Sequence, residues 1–420
     1  MHAIRSCLAA VLGLAAAHAA PAADVPPTDP DAAALQLADQ TPTEAAVASP
    51  WRIYAELAGG RDGWRDAPSD SFGRAALDLR YDRRVGSGLR AVLSDRLDLV
   101  QRGQPATGQN RNSLREAYLS WQPVAEQLVD VGRVNLRQGV AWGYNPTDYF
   151  KGGALRVHLS PDPATLRENR LGTVVLRGQQ LWDAGSLSLA LSPHLADAPS
   201  DDPASLDLGA TNARNRWLLA GSRKLGGLNP QLLLHGGEDT PTQLGVNLSG
   251  LLSDSIVVFG ELSVGDGPSF AMQADGAPAP EATRTRAALG LTFTTGFNLS
   301  LTAELEHNDA APDRAQWQAL APAARLRLLA GAQDAQELPV RDAAFLYATW
   351  KDAGVKRLDL SAFMRWEPLT RSRNTWLEGR YRFDHLDVAL QWQQFAGDPG
   401  SVFGTAPLAR TWELSGRWYF

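Results

Sequence analysis

The chemistry open to this chain is carried by arginine. Read as segments with two alternating faces, the sequence places Arg74, Arg80, Arg90, Arg96, Arg133, Arg137, Arg177, Arg216, Lys224, Arg284, Arg286, Arg357, Arg365, Arg380, Arg382 and Arg417 on the polar faces. A guanidinium fork grips a carboxylate or phosphate through two parallel hydrogen bonds. In an aqueous passage with low-dielectric walls, an excess of such groups concentrates anions and speeds their entry. Acidic residues read onto the same faces are fewer: Asp78, Asp82, Asp98, Glu116, Glu261, Glu304, Glu306, Asp359, Glu378 and Glu413. They leave a second use for the arginines open, cross-strand pairing that braces a sheet. Lysine occurs only at 151, 224, 351 and 356, a bias that GC-rich coding would also produce. The formal net charge of -6 is modest for 420 residues and decides nothing about partners, and nothing here points to nucleic acid.

Other chemistries find little support. The histidines at 158, 194, 235, 307 and 385 have no metal-ligand spacing. There is no glycine-rich phosphate loop or nucleophile elbow, and Glu304 with Glu306 on one strand face is thin ground for hydrolysis. The expectation is no metal, no cofactor and no enzymatic activity. A hydrolase using a serine and a histidine near a rim is the alternative.

The elements that must position these arginines are strands. Alternating faces occur over 51–59, 72–82, 88–99, 113–121, 128–137, 171–181, 186–195, 214–223, 229–236, 242–252, 255–264, 283–294, 297–307, 343–351, 356–366, 374–383, 385–395 and 411–420. Leu77, Leu79 and Tyr81 oppose Asp78, Arg80 and Asp82; Leu299, Leu301 and Leu305 oppose Ser300, Thr302 and Glu306. Asp95 breaks the pattern beside Leu93 and Leu97, from a rim position or a slip in register. After residue 22 no apolar run is long enough for a membrane-spanning helix, as expected where only every second side chain meets lipid. The fold predicted is all-β, a transmembrane antiparallel up-and-down β-barrel of about 18 strands, with 16 to 20 open.

Short connections (83–87, 122–127, 182–185, 224–228, 253–254, 295–296, 352–355) fall at the end shared with the C-terminus, and long ones at the other. Residues 138–170 and 308–341 form the longest outer loops, with Asp313 to Leu329 helical in the second. The first holds Trp142, Asn145, Pro146 and Asp148; the Asn-Pro step implies a fixed turn, and Asp148 could bond to backbone or an arginine. Such a loop either constricts the pore or caps it from outside.

The ends agree with a barrel. Arg5, the apolar run Cys7 to Ala17 and Ala17-His18-Ala19 read as a signal peptide over 1–22, which removes the single cysteine. Residues 23–50, rich in Pro, Ala and Asp, read as a periplasmic tail, with a short helix over Ala32 to Ala38 as the alternative. The barrel occupies 51–420 and closes on an amphipathic strand with Trp418 and terminal Phe420, which resembles the last strand of Gram-negative outer-membrane barrels and implies recognition by the barrel assembly machinery. Tryptophans such as Trp51, Trp121, Trp366 and Trp412 suit interfacial girdles against outer-membrane lipid and lipopolysaccharide.

One stretch is distinctive. Leu-Arg-Glu-Ala-Tyr-Leu-Ser-Trp at 114–121, Val-Gly-Arg at 131–133 and Trp142-Gly143-Tyr144-Asn145-Pro146-Thr147-Asp148 resemble the porin-like outer-membrane proteins related to alginate-export channels. The resemblance implies an 18-stranded pore with an arginine-rich lumen for an acidic polysaccharide. The expectation is thus an outer-membrane channel of a Gram-negative bacterium, passing small or oligomeric solutes and favouring anionic ones, lined by Arg90, Arg96, Arg133, Arg137, Arg177, Arg284, Arg286, Arg365, Arg380 and Arg382. A transporter of hydrophobic compounds, marked by a lateral gap between strands, is a further alternative.

Overall fold

The computed structural model describes residues 49–102, 110–156, 160–200 and 202–420. The signal peptide, nearly all of the tail and its alternative helix lie outside the described residues. The strands are β1 (Trp51–Trp64), β2 (Asp70–Val85), β3 (Leu89–Arg102), β4 (Arg111–Trp121), β5 (Gln127–Val134), β6 (Thr173–Trp182), β7 (Gly185–Ser192), β8 (Arg216–Arg223), β9 (Leu228–Gly237), β10 (Thr240–Ser253), β11 (Ile256–Gly267), β12 (Ala282–Thr294), β13 (Leu299–Asn308), β14 (Asp342–Trp350), β15 (Leu358–Glu367), β16 (Ser372–Arg382), β17 (Leu386–Ala396) and β18 (Leu408–Tyr419). Each pairs antiparallel with the next, and β18 returns to β1 from Tyr54 opposite Tyr419 to Trp64 opposite Leu408. The sheet is therefore a closed 18-stranded barrel, as the alternation and loop parity predict.

Its two surfaces follow from the two-residue period. Leu57, Leu77, Leu119, Val131, Leu176, Leu189, Leu232, Leu305 and Leu414 are exposed on the outside, while Glu56, Arg74, Asp78, Arg96, Glu261 and Glu304 are buried within. No helix among the described residues is long and apolar enough to cross a membrane.

Two irregularities change what faces inward. Between β3 and β4 the register shifts: Ser94 lies opposite Glu116 but Asp95 opposite Leu114, so Arg115 is a bulged extra residue. Glu116 and Arg115 consequently both point into the barrel, where they meet Arg80 and Asp78. Asp95 stays half-buried on the outer side, and its Oδ1 accepts from Asn112 Nδ2 at 3.1 Å.

The second irregularity is the early end of β5. Leu136 N donates to Val134 O at 3.0 Å, a three-residue turn that stops the strand. The strand expected over 128–137 is thus shorter, and Arg137 lies beyond it, exposed, instead of lining the wall. Arg133 also departs from expectation. It sits opposite Ala117 and Val174, on the same side of the ladder as outward-facing Val131 and Leu119. The inward position belongs to Asp130, whose pairing with Arg177 at 2.6 Å sets the register.

Between the two, Gly132 has φ 128, and a Cβ there would lie 2.3 Å from Ala117 O. Only glycine fits this close approach.

The outer end carries short helices: α1 (Pro163–Glu168), α2 (Leu208–Thr211), α3 (Phe270–Asp275), α4 (Arg314–Ala319) and α5 (Pro322–Ala335). Asp313 starts α4 with a capping box, and Pro322 occupies the first turn of α5, so 308–341 holds two helices with a break at Leu320 and Ala321. Trp317, Ala324, Leu328, Val340, Ala271 and Val402 form one apolar cluster joining α3, α4, α5 and the 397–407 loop.

Replacing Gly132 by valine should force β4 and β5 apart. The expected outcome is a loss of at least about 2 kcal/mol in denaturant unfolding of the micelle-folded protein; an unchanged midpoint would contradict the close-approach account.

Candidate functional site: a segment held inside the lumen

After β5 the chain does not remain outside. Ala141, Tyr144, Thr147, Asp148, Phe150 and Ala154 are all buried. Two wall carboxylates hold this segment by its backbone. Glu261 of β11 accepts from Val140 N and Ala141 N at 2.5 and 2.6 Å through Oε1, and from Thr147 N and Oγ1 at 3.2 and 2.8 Å through Oε2. Glu304 of β13 accepts from Trp142 N, Gly143 N and Tyr144 N at 2.9, 3.3 and 2.9 Å. These N–H groups belong to neither helix nor sheet, so the two carboxylates supply the partners that burial demands.

Each residue singled out in this loop has a place. Trp142 lies against Tyr347 at 5.5 Å between ring centroids. Asn145 Nδ2 donates to Ala141 O at 2.5 Å and Glu261 Oε1 at 3.1 Å, and Pro146 is buried beside it. Asp148 takes an arginine: both oxygens accept from Arg170, at 2.7 and 3.2 Å. Gly143 packs where a Cβ would be 2.6 Å from the Phe345 ring.

The segment crosses from one wall to another. Leu136 and Phe150 pack on Val175, Ala190, Leu218 and Leu233 of β6–β9, while Trp142 meets the Phe345, Tyr347, Phe363 and Trp376 cluster of β14–β16. Further on, Asp162 caps α1 through Thr165 N at 3.0 Å and accepts from Tyr347 Oη at 2.7 Å. Ser160 donates to Gln391 of β17, and Arg115 of β4 to Asn169.

Most of the expected lining arginines are paired. Arg96 is almost fully buried and meets Asp98 and Glu56 at 3.0 Å and Asp78 at 3.5 Å. Arg90 holds Asp82 through two bonds, Arg177 holds Asp130, and Arg365 holds Glu306. Arg380 pairs with Glu378, and Arg382 with Asp359 and Asp352. Arg286 lies 3.6 Å from Glu337. Arg284 reaches the carbonyls of Gly267 and Asp309, and Arg133 those of Leu114, Leu206 and Asp207.

The excess of cations expected on the inner faces is therefore offset. Glu56, Asp62, Asp130 and Asp387, absent from the alternation reading, also face in and form ion pairs with arginine. Asp62 lay beyond the expected end of β1, and Asp130 had the wrong parity assigned. Arg111 and Arg115 were missed for related reasons: one precedes the expected start of β4, the other sits on the bulge.

Three of the pairs nonetheless have a direction. Side-chain exposure is 31% for Arg80 against 12% for Glu116, 26% for Arg417 against 7% for Glu56, and 23% for Arg177 against 2% for Asp130. In these three pairs the guanidinium is the more exposed partner, whereas the deeply buried Arg74 and Arg96 are less exposed than the carboxylates of Glu56, Glu413 and Asp78 that they meet.

At the outer edge, Tyr144 Oη and Lys151 Nζ meet Glu337, which follows α5, at 2.5 and 3.0 Å. Burial pushes the Glu337 carboxyl up, but Lys151 and Arg286 outweigh it and hold the group below the usual range. Among the described residues no cluster of side chains suits a metal ion.

Comparison with known proteins places this geometry in a class by shape. No family profile matches the chain, and no curated protein matches it in sequence. Among solved structures it is similar to OpdQ of Pseudomonas aeruginosa, with TM-score 0.55 and 9% identity over 89% of this chain and 99% of that one. It is also similar to a BenF-like porin from Pseudomonas fluorescens, with TM-score 0.54 and 11% identity over 88% and 98%. A third is OccK8 (OprE) of P. aeruginosa, with TM-score 0.53 and 12% identity over 88% and 98%. At these identities the likeness defines the fold, a porin-type barrel. None of the three is an alginate exporter by name, so the resemblance of 114–156 to that family has no counterpart here.

Two outcomes follow from the grip on the segment. Glu261→Gln with Glu304→Gln replaces one acceptor oxygen of each side chain by an NH2 donor, and single-channel conductance should rise as residues 139–147 loosen; unchanged conductance and protease resistance would contradict the assignment. Because the Glu337 carboxyl is depressed in the folded protein, its contribution is complete above the ordinary glutamate pKa and is lost as pH falls through the lower, folded value. Current noise should therefore grow on acidification below the ordinary carboxylate range, and Glu337→Gln should remove that dependence.

Proposed function

We propose that the chain is an outer-membrane channel of a Gram-negative bacterium through which small solutes pass passively, with preference for anions. The closed barrel with its apolar exterior supports the membrane setting, since every backbone group in hydrocarbon must be paired within the protein. The observation that carries the preference is the orientation of the wall pairs: Arg80, Arg177 and Arg417 present N–H groups to the lumen while Glu116, Asp130 and Glu56 stay behind them. A solute then meets donors first, although each pair is neutral. Arg137 and Arg167 add cations on the inward segment; Arg167 is held by the carbonyls of Gly139 and Ala141, not by an acid. Acidic sugars or other carboxylated solutes match this lining.

The segment 135–172 is the selecting element in this reading, because it occupies the lumen between walls. Hydrolysis is the weaker reading. Among the described residues neither ring nitrogen of buried His235 has a hydrogen-bond partner, and its stacking on Tyr149 at 4.6 Å gives it a packing role.

Reversal potentials in planar bilayers across a KCl gradient test the proposal. Wild type should favour chloride, and Arg80→Glu with Arg417→Glu should shift the reversal potential toward potassium. Cation selectivity in the wild type would reject the anion preference, and absence of conductance would reject the channel.

A further inference from the structure

The turn Lys151-Gly152-Gly153 of the inward segment meets two outer connections at once. On one side lies the end of α5, in the connection between β13 and β14. Gly153 N donates to Asp334 O at 2.9 Å, and Gln336 Nε2 donates to Lys151 O. Lys151 Nζ lies over the Tyr144 ring, donates to Asn145 O at 2.8 Å and pairs with Glu337 at 3.0 Å. On the other side lies α2, in the connection between β7 and β8. Gly153 has φ 70 and backs onto α2 so closely that a Cβ would collide with Ala210 O. Gly152 has neither constraint: its φ lies outside the left-handed region, and its Cβ position is 3.8 Å from Ala335 Cα.

The two connections are rooted six strands apart in the ring of 18, and among the described residues no hydrogen bond joins them directly. Each is fixed at its own root. Thr211 Oγ1 donates to Gly172 O at 3.0 Å and Asn212 Nδ2 to Val174 O at 2.9 Å, which ties α2 to the β6 side of the wall. Trp317, Leu328 and Val402 pack α4 and α5 against the rim, and Arg327 Nε donates to Ala274 O at 2.8 Å. The turn bridges the interval between them without any ladder. Single hydrogen bonds, one buried ion pair and one missing side chain hold it, and a contact of that kind opens at lower free energy than the strands around it.

We propose that Lys151-Gly152-Gly153 is the keystone of an outer gate. Seated, the turn couples the β7–β8 and β13–β14 connections to the inward segment; released, it uncouples both while Glu261 and Glu304 keep residues 140–147 on the wall. The fit of one residue carries the argument. Gly153 bonds α5 through its N–H and packs on α2 through its lack of a Cβ, so a single glycine links loops from separate parts of the ring. What the gate controls rests on the channel function proposed above; the coupling of the two connections does not.

Hydrogen exchange of the nanodisc-embedded Gly153→Ala variant, read by mass spectrometry, tests the coupling without any conductance. Exchange should rise several-fold over both 208–212 and 332–338, because alanine disfavours the left-handed backbone and collides with Ala210. A rise confined to 150–155, or no rise, would overturn the keystone. Single-channel recording tests the gate. A disulfide between Gly152→Cys and Ala335→Cys, in a Cys7→Ser background, should make transitions between conductance levels several-fold rarer until it is reduced, and Lys151→Met should make them several-fold more frequent. Equal transition rates in the oxidised and reduced channel, with the crosslink verified by mass spectrometry, would sink the gate and leave the channel standing. Absence of conductance in the wild type would reject channel and gate together, with the exchange measurement still deciding the keystone. If the cysteine variant fails to fold, Gly153→Ala and Lys151→Met decide: both must raise the transition rate above wild type.

Discussion

The structure depends on pairing every backbone amide of a sheet whose outer surface is leucine and valine. An open edge on such a sheet would present a row of unpaired N–H and C=O groups beside apolar side chains. Return of β18 to β1 removes the edge. Once the ring is closed, the two-residue period leaves no freedom: one side chain in two must be tolerated inside, whatever its charge. The interior is accordingly where the polar residues of this chain accumulate, and its chemistry is a consequence of closure before it is a consequence of function.

Interior polarity then solves a second problem, that of the inward segment. Residues 139–147 form no ladder, and their amides would be orphans inside the barrel. Glu261 and Glu304 project from two strands and collect these amides by their carboxylate oxygens. Each acid is itself made tolerable by the amides it accepts, since a buried carboxylate without partners would be very costly. Wall and segment are therefore stabilised by one set of bonds. Arg170 and Asp148 fix the segment internally, and among the described residues neither Arg137 nor Arg167 pairs with an acid.

How much of this could be read from the sequence depends on whether parity was interrupted. All eighteen strands follow from alternation, because Leu187, Leu189 and Leu191 against Ser186, Ser188 and Ser192 allow no other sheet face. Loop lengths fixed the strand parity independently. Local parity failed where one residue was added or a strand stopped: the bulge at Arg115 reversed the facing of everything outward of it on β4, and the turn at Leu136 ended β5 before Arg137. Periodicity contains no sign of either event. The pairing of arginines with carboxylates was also hidden, because it depends on which strands become neighbours: Arg417 meets Glu56 only when the last strand reaches the first.

The direction of the Arg80–Glu116, Arg177–Asp130 and Arg417–Glu56 pairs follows from side-chain length on a concave surface. An aspartate or glutamate ends one or two methylenes from its Cα and stays against the sheet. Arginine carries a longer apolar stem and extends its charged head into the open side. Each such pair is neutral, yet its guanidinium lies on the open side. Arg365 and Glu306 obey the same geometry, with exposures of 21% and 0%, and there the guanidinium also accepts the task of holding Gly143 O. The same orientation that gives solutes a row of donors thus gives the inward segment an anchor on its carbonyl side, complementing the carboxylates that hold its amides.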